Sequence, residues 1–570
     1  MYAQVVVLTY QAPDIDSFTY EVPKELEREI KVGQLVEIPF GKRLPVGIVI
    51  ATSNQRPETR IKEDLIKPIS KIVLKNPLLL PYQIELVKWM SSYYLAPMVN
   101  CMEVMMPFQS SKVRPLSFPR PDLVTKSLFR NQSLILVPTI NRIPETMAKF
   151  PKAKNYIVYH NELKPLEKFA ARQKILEGGA DYIFGSRSAI FAPFPALKEI
   201  IIYSENDQAY KDDRSPYFDT LIVAQKISNL IGAQIKIVDP APKITTYFAL
   251  KNHIKMQQFE TKTEIVSMES ERLSGNKTPL SDYLLGNIKT NIKRGNSTLL
   301  FLNKKKESGQ IFCRSCKHQE FLNIQPNVCP NCQSPDIFFG SLNVSSLATL
   351  LQKQLPGTKI NLITEKSSTF PVENNPTVDI ATTYIFYTFI QKKYALTGYI
   401  SCDPLLNRAD FTSTETLFAQ IANLKQLTEK GGQLVLQSYN PQNPTLEFAA
   451  NGNYSGYYLD QLAQRKALNY PPFGLLIKLH LKGNDPQKTK IAADNLFEKL
   501  QSETDDDKLT ILGPYQSIFW QKKPTYNIIL KYKLKGYSQA EKEKAVAKIG
   551  SFIGSLPKGW LITVDPSSIN

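Results

Sequence analysis

The segment Cys313-Arg-Ser-Cys316, followed after twelve residues by Cys329-Pro-Asn-Cys332, is the most informative stretch of this 570-residue chain. Two Cys-x-x-Cys pairs at this spacing can place four thiolates at the corners of a tetrahedron, which is the geometry that Zn²⁺ prefers. A closed four-sulfur shell leaves no position for water or substrate. The sequence therefore predicts one structural zinc in a small ribbon inserted into a larger domain. The alternative is two reduced cysteine pairs, or disulfides, with no metal.

The composition around this segment indicates a multidomain protein of the reducing cytoplasm. A chain of 570 residues with 42% hydrophobic content predicts about three or four packed domains. It has no run of about twenty apolar residues, so no membrane span is expected, and the stretch from Met1 to Tyr10 is typical of a β-strand rather than a signal peptide. Few cysteines, mostly at metal spacing, agree with a cytoplasmic protein. The formal net charge of +18 favours a polyanionic partner, although a lysine-rich surface that serves solubility would give the same charge.

Upstream of the cysteines, residues 1–108 predict a compact β-rich domain that ends in a helix. Alternating and apolar runs predict strands around Phe18 to Pro23, Leu35 to Phe40 and Val46 to Ile50. The turn Gly41-Lys42-Arg43 could place bare backbone beside a phosphate or sugar, but the pattern alone favours an ordinary β-turn. Apolar residues at helical spacing then predict a helix from Pro81 to Tyr94.

The remaining chain has the alternating strands and helices of α/β domains. The continuous β-branched run Ile200-Ile201-Ile202 predicts a buried parallel strand. Arg187 follows another predicted strand, in a loop where it would be exposed, and such a loop is either a ligand site or a packing turn. The predicted boundaries are a linker at 109–133, a first α/β lobe at 134–255, a second lobe at 256–307 and 341–445, the zinc insertion at 308–340, and an α+β C-terminal domain at 446–570.

Several motifs, in this order, resemble the PriA family of bacterial replication restart helicases, also called primosomal protein N′. They are Phe18-x-Tyr20, Pro39-Phe40-Gly41-Lys42-Arg43, Trp89-x₃-Tyr93-Tyr94-x₂-Pro97, the block from Gly185 to Phe194, Asp403-x₆-Asp410-Phe411, and Tyr470-Pro471-Pro472-Phe473. The resemblance implies an N-terminal domain that holds the 3′ end of a nascent leading strand, with Phe18 stacking on a base, Gly41 allowing close approach and Lys67 directed at a phosphate. The family has an acidic residue where this chain has Thr19.

The resemblance also implies two RecA-like helicase lobes, but the motifs for ATP hydrolysis are degenerate. No segment matches the P-loop, and the family's Asp-Glu-Glu-His, which holds Mg²⁺ and activates water, is replaced by Tyr203-Ser204-Glu205-Asn206. The coupling motif is replaced by Val238-Asp239-Pro240-Ala241-Pro242. The arginine motif Gln-Val-x-Gly-Arg-Ala-Gly-Arg is replaced by the run Gln420 to Leu427, which contains no arginine. The family has eight cysteines where this chain has four, so one zinc of two is expected.

Lysines and aromatic residues alternate near the C-terminus and predict a basic-aromatic surface suited to single-stranded DNA or an acidic peptide tail, with a solvated strand face as the alternative. They are Lys522, Lys523, Lys531, Lys533, Lys535, Trp520, Tyr526 and Tyr532.

Three hypotheses follow from these patterns. The first is a replication restart protein that binds stalled-fork or D-loop DNA and recruits primosome or helicase-loading proteins, with single-stranded DNA-binding protein as a further partner and no membrane association. Under this hypothesis no catalytic residue is predicted, ATP is not expected as a cofactor, and whether the chain is an enzyme stays open. The second is an active ATP-dependent 3′→5′ DNA helicase with an unrecognised nucleotide site. The third is a zinc-containing interaction module that no longer binds DNA.

Overall fold

The computed structural model shows two compact units, one formed by Met1–Asp239 with Ala463–Asn570 and the other by Pro240–Leu462. Among the described helices, none is both long and apolar enough to cross a membrane. The described residues are 1–8, 16–55, 66–107, 131–250, 259–303, 309–316, 318–322, 326–340, 342–364, 375–387, 392–517, 523–536, 538–554 and 556–569.

The N-terminal domain is an antiparallel five-stranded sheet with a helix packed on one face. Its elements are β1 (Tyr2–Val7), β2 (Phe18–Glu21), β3 (Leu35–Glu37), β4 (Val46–Ser53), β5 (Lys71–Ile72), α1 (Pro81–Tyr94) and α2 (Met98–Glu103), and the strand order is β2-β1-β4-β3-β5. Because side chains alternate along a strand, Val6 and Ile48 join the core that contains α1, whereas Val5 and Tyr20 form a separate cluster on the other face. Proline at the first helical position suits the start of α1.

A parallel five-stranded sheet follows in the same unit. Its elements are β6 (Gln132–Leu136), α3 (Ile143–Ala148), β7 (Tyr156–Tyr159), α4 (Pro165–Leu176), β8 (Tyr182–Gly185), β9 (Leu197–Tyr203), α5 (Thr220–Ile231) and β10 (Gln234–Val238), and the strand order is β10-β9-β6-β8-β7. The buried parallel strand predicted at Ile200 to Ile202 is confirmed, since β9 pairs in parallel with both β6 and β10 and buries these side chains.

The second unit contains a parallel six-stranded sheet with the order β11-β19-β18-β12-β17-β16. A small antiparallel sheet, β14-β13-β15, is inserted between β12 and α9 and carries the four cysteines. The elements are α6 (Ile244–Leu250), β11 (Lys262–Ser267), α7 (Met268–Leu273), α8 (Asp282–Lys293), β12 (Thr298–Phe301), β13 (Gly309–Cys313), β14 (Gln319–Leu322), β15 (Ile337–Gly340), α9 (Val344–Gln354), β16 (Lys359–Ile363), β17 (Thr377–Ala381), β18 (Tyr394–Tyr399), α10 (Asp403–Leu406), α11 (Ser413–Leu427), β19 (Thr428–Ser438), α12 (Pro444–Ala450) and α13 (Tyr454–Ala467), whose residues from Ala463 onward belong to the first unit.

The C-terminal region returns to the first unit as a four-stranded antiparallel sheet with the order β21-β22-β20-β23. Its elements are β20 (Gly474–Lys482), α14 (Pro486–Glu503), β21 (Leu509–Gln516), β22 (Thr525–Lys533), α15 (Gln539–Ile553) and β23 (Trp560–Val564).

The interleaved basic-aromatic surface predicted here is wrong for its tyrosines. Tyr532 lies in the core, and the half-buried Tyr526 packs against the same core. Lys531 and Lys533 alternate with them along β22 and therefore lie on the opposite face. The two tyrosines cannot form a stacking platform between these lysines. Trp520 and Lys522 lie outside the described residues.

Candidate nucleic-acid interface and metal centre

The N-terminal sheet brings Phe18 beside the turn that contains Gly41. Phe18 begins β2, and its ring lies edge-on against Phe40 with centroids 5.1 Å apart. The Tyr20 hydroxyl donates to the carbonyl of Pro39 at 3.4 Å, and burial raises the pKa of Tyr20 to about 12, which keeps that donor protonated. Gly41 has a φ of +61°, which favours glycine, and a Cβ added there would meet no atom within 4 Å. No neighbouring atom crowds Gly41 at the position where a side chain would begin.

Lys67 lies alongside the other end of β2. Its carbonyl accepts a hydrogen bond from the Glu21 amide at 3.0 Å, and its side chain is exposed. Glu21 is three residues after Phe18, so the two backbone positions are about 10 Å apart along the strand. Lys67 and Phe18 therefore lie near opposite ends of the same short strand.

The four cysteines converge as their spacing predicts. Their Sγ atoms all lie within 4.8 Å of one another, with Cys313 and Cys332 at 3.5 Å and Cys316 and Cys329 at 3.7 Å. Four sulfurs bound to zinc at about 2.3 Å would be about 3.8 Å apart, whereas a disulfide requires about 2.05 Å. The arrangement fits a tetrahedral metal ion and not two disulfides.

Neighbouring donors favour the deprotonated sulfur, the form that a metal requires, at two of the four cysteines. The Cys316 amide donates to Cys313 Sγ at 3.5 Å, and the Asn331 side-chain amide donates to Cys316 Sγ at 3.6 Å. These hydrogen bonds lower the pKa of both thiols, and that of Cys316 falls to about 6. Antiparallel pairing of β13 with β15 places Cys313 opposite Ile337, close to the second cysteine pair. The residues present can thus hold a metal ion.

The end of β9 is occupied by contacts within the protein. The Arg142 guanidinium donates to Ser204 Oγ at 2.9 Å, and Ser204 has a left-handed backbone with a φ of +53°. The Lys149 ammonium lies 5.3 Å from the centre of the Tyr203 ring, and Glu205 is fully buried. The carboxyl ends of parallel strands are where open α/β sheets bind ligands. Here protein groups fill part of that position.

Arg187 is not the exposed arginine predicted from sequence, because only 22% of its side chain is exposed. Its guanidinium donates to the carbonyls of Ala209 and Lys211 at 3.0 and 2.5 Å, and it pairs with Asp212 at 3.2 Å. These partners follow 22 to 25 residues later in the chain and give Arg187 a packing role.

Helix α11 contains the positions that correspond to the arginine motif. Counting from Gln420, the two arginine positions are Leu424, which is fully buried in the core, and Leu427, which packs against the same core. Between them, the Lys425 ammonium donates to the carbonyls of Ala449 and Ala450 at the end of α12. Burial lowers the pKa of Lys425 to about 8. This segment stabilises the second unit.

Comparison with known proteins adds a family to this geometry. A family model described as the PriA 3′ DNA-binding domain matches residues 6–107, the domain that carries Phe18, Gly41 and Lys67. The chain is similar in sequence to curated PriA replication restart proteins. PriA of Synechocystis sp. is 27% identical over 445 residues, covering 67% of this chain and 53% of that protein. PriA of Bacillus subtilis is 25% identical over 453 residues, covering 70% and 56%. PriA of Rickettsia conorii is 22% identical over 597 residues, covering 88% and 90%.

The chain spans about half the length of the first two relatives. Solved structures are more distant. The DUF1998 helicase MrfA bound to DNA is 9% identical with a TM-score of 0.33, covering 66% of this chain and 48% of that one. The Mycobacterium smegmatis helicase Lhr bound to single-stranded DNA and AMP-PNP is 10% identical with a TM-score of 0.31, covering 75% and 55%. At these TM-scores the likeness does not establish a shared fold.

Proposed function

We propose that this chain acts in replication restart by binding stalled-fork or D-loop DNA and recruiting restart factors, without helicase activity of its own. The observation that carries the proposal is the packing of α11, where Leu424 lies in the core at a position that the PriA motif gives to an arginine. The match of residues 6–107 to a 3′ DNA-binding domain supports the retained DNA-binding role.

The chemistry of phosphoryl transfer supports the loss of activity. That reaction depends on a bound metal ion, a residue that orients or activates the nucleophile, and cations that stabilise the transferring phosphoryl group. In this chain Tyr203 and Ser204 stand where the family has the metal-holding and water-activating carboxylates, and no arginine stands at either position in α11. Losing these groups together removes many orders of magnitude in rate. ATP is accordingly not proposed as a cofactor.

For the DNA end, we assign a role to each predicted residue. Phe18 offers a partly exposed ring to the terminal base, Gly41 lets the sugar-phosphate backbone approach the turn, and Lys67 pairs with a phosphate. The formal net charge of +18 provides the long-range attraction, so binding weakens as salt rises. Thr19 lies next to Phe18 and decides how strongly the 3′-hydroxyl is selected.

The four cysteines would hold one structural zinc ion, which joins β13 to the loop before β15. Zinc suits four thiolates and, in this role, supplies folding energy rather than chemistry. Primosome or helicase-loading proteins, and single-stranded DNA-binding protein, are the proposed protein partners, in the cytoplasm. The helicase of a fork-bound complex would then be a separate protein.

The experiment compares binding to a model fork with a nascent leading-strand 3′ end against two controls: the same fork without that strand, and one whose strand ends in a 3′-phosphate. ATP hydrolysis is measured on the same samples. Tight, salt-dependent binding that prefers the free 3′ end, with no DNA-stimulated hydrolysis, is expected. Hydrolysis that disappears when one residue of this chain is changed would establish the helicase alternative. Weak binding that ignores the 3′ end would favour an interaction module that has lost DNA binding.

A further inference from the structure

Helix α1 carries two aromatic hydrogen-bond donors that lie on the opposite face of the N-terminal sheet from Phe18. Trp89 and Tyr93 are four residues apart and therefore lie on one face of the helix. Their rings stack with centroids 4.9 Å apart and planes 16° apart. Both side chains are largely buried. They belong to the motif Trp89-x₃-Tyr93-Tyr94, and the sheet of the N-terminal domain separates them from the cluster that contains Phe18.

Trp89 meets a carboxylate of the C-terminal region and a lysine of the first α/β sheet. Its indole nitrogen donates to Glu543 Oε1 in α15 at 2.5 Å. The Lys226 ammonium, from α5, donates to the same oxygen at 3.2 Å and lies 5.2 Å from the centre of the Trp89 ring. Three separate parts of the chain thus share one carboxylate.

Tyr93 makes an equivalent junction one helical turn further on. Its hydroxyl donates to Asp565 Oδ2 at 2.6 Å, just after β23. The Lys542 ammonium, from α15, lies 3.5 Å from Asp565 Oδ1. Lys211, from the loop after β9, donates to the carbonyls of Val564 and Asp565 at 2.9 and 3.0 Å. Again α1 supplies an aromatic donor, the C-terminal region a carboxylate and the first α/β sheet a lysine.

We infer that Trp89 and Tyr93 are positioning residues that fix the N-terminal domain to the C-terminal region, so that the first unit binds a fork as one rigid body. The inference rests on the proposed fork binding. Apolar side chains would fill the same space, but they would not select one orientation. Both contacts are partly buried, and breaking either one leaves a polar group with fewer hydrogen bonds, so they favour a single geometry. When a rigid body contacts DNA at several places, the first contact raises the effective concentration of the others and so raises the affinity. This gain is lost when the contacting surfaces are no longer held in the same relative position.

Another contact from α1 provides a matched control. The Tyr82 hydroxyl donates to the Ala192 carbonyl at 3.1 Å and accepts from the Phe194 amide at 3.2 Å, so it joins α1 to the first α/β sheet and not to the C-terminal region. Tyr82→Phe removes one hydroxyl from the same helix, as Tyr93→Phe does. A difference between Tyr82→Phe and a variant changed at Trp89 and Tyr93 therefore reports on the attachment to the C-terminal region.

The test uses the full chain carrying Trp89→Phe and Tyr93→Phe together, and measures binding to a short single strand with a free 3′ end and to a complete fork. The double variant should bind the single strand within about twofold of wild type and the fork about tenfold more weakly, whereas Tyr82→Phe should match wild type on both. An equal loss on both DNAs, no loss on the fork, or the same loss in Tyr82→Phe would overturn the inference.

Hydrogen exchange without DNA separates this inference from the proposed function. In the double variant the amides of β23 and α15 should exchange faster, while those of β1 and β4 should not change. Unchanged exchange in β23 would overturn the positioning role whatever the DNA result. If the wild-type chain does not bind forks, the proposed function and the rigid-body binding both fail. Hydrogen exchange in β23 and α15 would still show whether Trp89 and Tyr93 fix the C-terminal region to the N-terminal domain. Should the double variant fail to fold, Asp565→Asn is the second variant, because asparagine accepts the left-handed backbone with a φ of +49° at this position.

Discussion

Replacing Leu424 with arginine would return to α11 a side chain of the type that the PriA arginine motif carries at this position. We predict that the change destabilises the second unit and restores no ATP hydrolysis. Leu424 is fully buried and shares its core cluster with Leu417, Phe418 and Leu434. A guanidinium at this position would lie among apolar side chains.

The expected magnitude follows from two costs. Removing the contacts of a buried leucine costs about 2–5 kcal/mol. Burying a charged group without a partner adds several kcal/mol more. This second cost becomes smaller if the long arginine side chain extends its charged group to solvent. Because the stability of a domain is typically about 5–15 kcal/mol, we expect the free energy of unfolding of the second unit to fall by about 4 kcal/mol or more.

Urea unfolding followed by hydrogen exchange in β18 and β19 measures this change. Tryptophan fluorescence would not, because Trp89, Trp520 and Trp560 all fall outside residues 240–462. The control is Glu429→Arg, which places the same side chain at an exposed position nearby and should change stability by no more than about 0.5 kcal/mol. A Leu424→Arg protein with wild-type stability, or one that gains DNA-stimulated ATP hydrolysis, would refute the reasoning.

Three further predictions concern the metal site, a buried lysine and the DNA end. Cys329→Ser should lower the zinc content and speed hydrogen exchange in β13 and β15, because a structural site needs all four ligands. Mass spectrometry of the intact protein measures the metal content, and an unchanged content would contradict the four-sulfur site. Burial lowers the pKa of Lys425 to about 8, below an unfolded value of about 10.4. The unfolded chain therefore binds more protons between these values, and the stability of the second unit should rise with pH through that window. Lys425→Met should remove the contribution of this lysine to the rise, which urea unfolding at several pH values measures. If the free energy of unfolding depends on pH in the same way in wild type and variant, the prediction is wrong. Phe18→Ala should weaken binding to a 3′-ended fork by about 1–3 kcal/mol through lost base stacking. Lys67→Ala should instead reduce the slope of log affinity against log salt concentration by about one. Fluorescence anisotropy at several salt concentrations distinguishes the two effects, and a Lys67→Ala slope equal to that of wild type would exclude a phosphate contact by Lys67.

Local chemistry made the metal site predictable. The spacing of the cysteines limits where the sulfurs can lie, and the continuous run Ile200 to Ile202 could only be buried between other strands. The two faces of β22 were readable too, because adjacent residues such as Lys531 and Tyr532 point to opposite sides of a strand. The sequence interpretation failed there by grouping residues that are neighbours in the chain and not in space.

Contacts between distant segments were beyond the sequence. Arg187 looked exposed because Asp212 and the carbonyls that satisfy it come from a later loop. Trp89 and Tyr93 are separated from their carboxylate partners by 454 and 472 residues. The spacing of the two aromatic residues placed them on one face of a helix, but nothing in the sequence indicated that Glu543 and Asp565 would meet that face.

ATP hydrolysis by the purified chain on a fork with a nascent 3′ end, at a DNA concentration where binding is saturated, tests the central claim most directly. The same fork without protein, and a chain carrying Phe18→Ala, provide the baselines. Saturated binding with hydrolysis no faster than the protein-free baseline is the predicted result. DNA-stimulated hydrolysis that copurifies with the chain and is abolished by a single substitution in it would contradict the claim.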